Sequence, residues 1–132
     1  MDATHIDLPG SQIAGVSVDG DTVRIRFEPA YLVKTMTGSV ERTRWHQNGE
    51  LVFDAAELQS CPDTLPGECQ GGDVGENVYT YRDMVPVPLD SRGRAHCRLR
   101  IAGDDTPIAV SAEAVTLRME DVPKYIEHIR PD

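Results

Sequence analysis

Three cysteines, four histidines and a crowd of acids are the side chains in this sequence that could hold a metal or do chemistry. Cys61, Cys69, His96 and Cys97 would make a four-ligand zinc set, since zinc takes thiolate sulfur and imidazole nitrogen in a tetrahedron. The spacing argues against it. Structural zinc sites use close cysteine pairs, about two to four residues apart, whereas seven residues separate Cys61 from Cys69. His96 and Cys97 are neighbours in a segment of strict alternation, so in a strand they point to opposite faces and cannot share an ion. The expectation is therefore no metal and no cofactor, with Cys97 a small core side chain and His96 facing water.

Cys61 and Cys69 lie in "SCPDTLPGECQGGDVGENVY", Ser60 to Tyr79, a glycine-rich, acidic stretch with no basic residue. A disulfide there would close a short ring and limit its disorder. An odd, sparse cysteine count makes reduced thiols the expectation, and an opening "MDATHIDLPGSQIAG" without a basic n-region or apolar h-region points to a cytoplasmic protein. Asp63, Glu68, Asp73, Glu76 and Asn77 offer hard oxygen ligands, but "GGDVGENVYTYRD" lacks the alternating acids of an EF-hand. The same glycines lack the Lys-Ser/Thr ending of a phosphate loop, and Asp73 and Glu76 would repel phosphate. No G-x-S-x-G nucleophile is present.

Binding is a better prospect than catalysis. A net charge of −9, with one Trp, four Tyr and two Phe, disfavours nucleic acid and an anionic membrane surface. Yet the basic residues are almost all arginine and they cluster. Arg92, Arg94, His96, Arg98 and Arg100 recur at every second position, and Arg24, Arg26, Arg42 and Arg44 repeat the pattern on two other segments. Brought together, such guanidiniums would take an anionic ligand or an acidic surface through bidentate contacts. Flanked by acids such as Glu28 and Glu50, they would form only a solvated charge ladder. Tyr79, Tyr81, Arg82 and Asp83 follow directly on the long acidic stretch, and a loop of that length without periodicity is where a contact surface is sought first.

The elements that must position these residues are short strands. In "IAGVSVDGDTVRIRFEP", Val16 and Val18 align with Val23 and Ile25 across an even turn at Gly20-Asp21. "RTRWHQNGELVFDA" reads as a second hairpin turning at Gln47-Asn48-Gly49, gathering Trp45, Leu51 and Phe53 on one face and leaving Arg42, Arg44 and His46 in water. Pro86 and Pro88 make Val85 to Leu89 an edge. Ala95, Cys97, Leu99 and Ile101 form the buried side of the cleanest strand, and a parity slip between Val110 and Val115 predicts a bulge near Ser111 or Ala112. Val122, Tyr125, Ile126 and Ile129 recur at helical spacing, with Asp121 as cap and Pro131 as stop, so the spacing predicts one short C-terminal helix.

These elements amount to a mainly β fold, an antiparallel β-sandwich or barrel of about seven to nine short strands within one domain, 1–132. No apolar run approaches the ~20 residues of a membrane helix. The function expected is that of a non-catalytic, soluble binding module, self-associating or meeting a protein partner, with a small anionic ligand as a further possibility. Its contact residues are expected to be Asp73, Glu76, Asn77, Tyr79, Tyr81, Arg82, Asp83, Arg98 and Arg100. The competing expectations are a small enzyme or divalent-metal protein drawing on His46 and the 60–83 segment, and a barrel enclosing an apolar molecule.

Overall fold

The structure is a computed structural model and describes residues 3–38 and 40–129. Eleven strands follow one another: β1 (Ala3–Asp7), β2 (Gln12–Asp19), β3 (Thr22–Thr35), β4 (Arg42–Asp54), β5 (Glu57–Ser60), β6 (Gly67–Glu76), β7 (Tyr79–Arg82), β8 (Met84–Val87), β9 (Asp90–Ile101), β10 (Asp104–Met119) and β11 (Lys124–Ile129). All belong to one antiparallel sheet: nine follow the order β11-β4-β10-β9-β6-β2-β3-β1-β8, and off this path β5 pairs with β10 and β7 with β6. An additional β3–β4 pairing closes β4, β10, β9, β6, β2 and β3 into a six-stranded barrel, with the other strands outside it. Closure removes the edges that an open sheet would expose.

Alternation decides what fills the barrel. Val23, Ile25 and Phe27 of β3 face inward, as do Leu51 and Phe53 of β4, and all five are fully buried. Val74, Leu99, Ile108 and Val115 join them from the other strands. Each such side chain contributes about 1.5 to 3 kcal/mol on leaving water. The barrel axis is thus a packed core and not a ligand cavity. The β2–β3 hairpin has the register expected, Val16 opposite Ile25 and Val18 opposite Val23, around a Gly20-Asp21 turn. The β10 bulge falls between Ala112 and Ala114, one residue from its expected place.

Three expectations fail. Arg42 to Asp54 is not a hairpin but one strand, and Asn48-Gly49 marks where it changes partners. Residues 49–54 pair with β10 and residues 42–46 with β11. Gly49 is buried, with the Arg118 carbonyl 2.8 Å from where a Cβ would stand, so closeness to β10 explains the glycine. Odd positions remain on one side of the uninterrupted strand, so Trp45, Leu51 and Phe53 still face the core.

The C-terminal helix is also absent: residues 124–129 form β11. The free edge of β4 offers unpaired backbone groups, and pairing with them outweighs a helical pattern only two turns long. The proposed stop, Pro131, lies outside the described residues. Finally, there are eleven strands among the described residues and not seven to nine, chiefly because the supposed long loop contains β6 and leads into β7. No helix long and apolar enough to cross a membrane occurs among the described residues.

Candidate functional site

The outer wall formed by β7, β6, β9 and β10 carries most of the residues of interest. β6 lies between β7 and β9, so Arg82, Asp73 and Arg98 stand in one cross-strand row. Next to it, Thr80, Gly75 and His96 form a second row, and Gly71 stands opposite Arg100. On the far side of β9, Arg98 faces Ala109 and His96 faces Ser111. Arg98 thus stands between Ala109 and Asp73, and Arg100 beside Gly71.

Few carboxylates meet these guanidiniums. Asp73 stands between two arginines but reaches only one, with its Oδ1 3.5 Å from Arg82 Nε. Arg100 Nη2 is 3.8 Å from Asp83 Oδ1. Among the described residues no carboxylate lies within 4.0 Å of Arg92, Arg94 or Arg98. On β3 and β4, Arg26 and Arg44 are paired within the chain, while the buried Nε of Arg24 has no hydrogen-bond partner. Arg26 holds Glu28 and grips Glu120 with two guanidinium nitrogens at 2.6 and 2.9 Å. These carboxylates raise the Arg26 pKa, and Arg26 in turn holds Glu120 below the usual carboxylate range. Arg44 reaches Asp7 at 3.5 Å and lies over the Tyr31 ring.

The two arginine groups do not merge, because β9 neighbours β6 and β10 and not β3 or β4. The β9–β10 register shifts between Ala112 and Ala114, but Val115, opposite Ser91, is fully buried, so Ala114 and the exposed Arg92 opposite it stay on the outer face with Arg98. Arg94 remains outside, on the wall of an open basin of about 980 Å³ that also includes Asp21, Glu57, Ser111 and Glu113. This basin does not touch residues 60–83.

Other expected contact residues have structural work. Asp83 Oδ1 accepts the Gly72 N–H at 2.9 Å. Asn77, with φ of 51°, occupies the β6–β7 turn, and its N–H donates to the Arg94 carbonyl at 2.7 Å. Its Nδ2 reaches Ser91 Oγ and the Arg92 carbonyl, both at 3.3 Å, pinning the hairpin tip to β9. Tyr79, Tyr81 and Glu76 have the opposite parity to Arg82 and Asp73, so they lie on the reverse of the hairpin. Partial burial raises the Tyr81 phenol pKa, with Glu76 and Tyr79 adding to the effect. The nine residues therefore divide between two faces.

His96 is half-buried, its imidazole lying across Gly75 so closely that a Cβ there would stand 2.0 Å from Cε1. This corrects the expectation of a histidine freely in water. Cys97, on the inner face, is buried among the core side chains, and desolvation pushes its thiol up to about 12. Cys69 is buried as well and Cys61 half-buried, all three as free thiols. Among the described residues no group of three or more His, Cys, Asp or Glu side chains is placed to hold a metal ion. His46 stands on β4 between Tyr31 and Lys124, on a strand that is not a neighbour of β6 or β7.

Sequence reasoning missed the small flanking positions Gly75, Ala109 and Ser111. Only the two-residue period of β10 could have suggested two of them. No family model, curated protein or solved structure matches the chain.

Proposed function

We propose that this chain is a soluble, cytoplasmic, non-catalytic interaction module that binds an acidic protein partner through the outer face of β9 and the adjoining β6–β7 hairpin. The observation that carries the reading is the contrast between two sets of arginines. Arg26 and Arg44 are tied to carboxylates of the same chain, whereas Arg98, between Ala109 and an Asp73 that reaches Arg82 instead, and Arg94, on a basin wall shared with Asp21, Glu57 and Glu113, have no carboxylate within 4.0 Å among the described residues. A guanidinium whose own chain leaves it unpaired keeps its planar fork of donors for a partner's carboxylates. Arg82 and Arg100, each more than half exposed, widen the row.

The net charge of −9 does not oppose this reading. At physiological salt the Debye length is about 8 Å, so charge spread over the remaining surface is screened, whereas a direct guanidinium–carboxylate contact is screened much less. A small anion would use the same fork. The filled barrel supports surface recognition over an enclosed ligand.

The test is fluorescence anisotropy with a labelled glutamate-rich peptide at about 0.15 M salt, where the net negative charge of the chain is screened beyond about 8 Å. The wild type should bind, and Arg98→Glu with Arg94→Glu should reduce affinity about tenfold or more while circular dichroism stays unchanged. Equal binding by the folded variant would overturn the proposal.

A further inference from the structure

β11 ends the strand path, with β4 on one side and, among the described residues, no strand on the other. The two ends of the path are guarded unequally. β8, at the far end, contains Pro86 and is followed by Pro88, which cannot donate to an incoming strand. β11 contains no proline, and Lys124 to His128 are all exposed. Val122, Tyr125 and Ile126 put apolar surface at this edge, at 76%, 48% and 39% exposure. An exposed edge with apolar side chains is a template for another strand.

The register of β11 selects which strand fits. Lys124 lies opposite His46, Tyr125 opposite Trp45, Glu127 opposite Arg44 and His128 opposite Thr43, so Ile126 is an inserted residue. His46 and Arg44 are two apart on β4 and share a face; Lys124 and Glu127 therefore share that face too. Tyr125 and His128 share the other, where their rings meet at 5.5 Å and the Tyr125 hydroxyl bonds to His128 Nδ1. Without the insertion Lys124 and Glu127 would point to opposite sides.

We propose that two copies of this chain pair through their β11 strands, antiparallel about a two-fold axis normal to the sheet and centred between Tyr125 and Ile126. Such an axis preserves faces, so a residue can oppose only one that points to the same side. In this register each Lys124 stands opposite the second copy's Glu127, with Tyr125 and Ile126 of both copies at the centre of the contact. The sequence Lys-Tyr-Ile-Glu is thus complementary to itself when reversed, in charge at its ends and in apolar character at its centre. The same charges disfavour strands that lack the matching pattern. This contact lies apart from the β9 row, so either reading can fail without the other.

Sedimentation equilibrium from about 10 µM to about 1 mM tests the pairing. The wild type should form dimers and no larger species, since each copy offers one such edge. Lys124→Glu alone or Glu127→Lys alone places like charges opposite each other twice per dimer and should weaken association about tenfold. The double variant K124E/E127K should recover. The two single variants, each weak alone, should pair when mixed, because one then carries acids at both positions and the other lysines. Arg98→Glu should dimerise as the wild type does. A wild type that stays monomeric throughout, or single variants that associate as tightly as the wild type, would overturn the proposal. Circular dichroism of each variant separates loss of pairing from loss of folding, and an unfolded single variant is replaced by Lys124→Gln or Glu127→Gln, each expected to weaken pairing less.

Discussion

Asp83 and Gly72 bind each other twice: the Asp83 carboxylate accepts the Gly72 N–H at 2.9 Å, and the Asp83 N–H donates to the Gly72 carbonyl at 2.7 Å. This clasp lies where β7 leaves β6, and Gly72 could hardly be another residue. Its φ is +149°, and a Cβ would stand 2.1 Å from the Arg98 carbonyl oxygen. An acid that reads as a ligand contact in the sequence thus secures the strand beneath the arginine row. Asp83→Ala should destabilise the protein by about 1 to 3 kcal/mol in urea unfolding, through the lost acceptor and the lost tolerance of its φ of +60°. Asp83→Asn keeps both features and should stay within about 0.5 kcal/mol of wild type.

Gly75 and His96 give a second prediction. The ring over Gly75 fills the space a side chain would need, so Gly75→Ala should cost about 1 to 3 kcal/mol in the wild-type background. In the His96→Ala background the clash disappears and the same substitution should cost much less. A double-mutant cycle from urea unfolding measures the difference. Additive effects would mean that the ring does not occupy that space.

These two contacts also explain what could and could not be foreseen. The β9 alternation and the β2–β3 register were legible because long runs of buried apolar residues alternate with charge, and only one register keeps them together. β6 was not legible. Beside Cys69 and Val74, its sequence is dominated by glycines whose size is set by neighbours remote in sequence, Arg98 above Gly72 and His96 above Gly75. Local pattern carries no trace of such neighbours, so a strand read as a loop. β11 failed for a related reason: Tyr125 meets Trp45 edge-on at 5.3 Å, and only the free edge of β4 reveals that partner. Among the expected site residues, the register alone puts Asp73 opposite Arg98, and only the placement of the side chains shows that Asp73 reaches Arg82 instead.

His5 links stability to pH. Burial lowers its pKa below the ordinary 6.5, with Arg42 acting in the same direction and Asp7 opposing. The unfolded chain therefore takes up the proton at a higher pH than the folded one, and stability rises with pH across that interval. Above 6.5 both states are neutral at this position and the contribution vanishes. As pH falls from 6.5 toward the folded value, wild type should lose stability relative to His5→Gln. Urea midpoints of both proteins at several pH values test the slope, and parallel curves would contradict it.

The account rests most heavily on the unpaired guanidiniums of β9, and a residue-resolved NMR titration of the isotope-labelled protein with a glutamate-rich peptide reads them directly. The expected result is that the amides and side chains of Arg94, Arg98 and Arg100, with Asp73 and Arg82 across the strands, shift first and saturate together, while Arg26 and Arg44 stay still. Shifts centred on β3 and β4, or none at all at physiological salt, would contradict it.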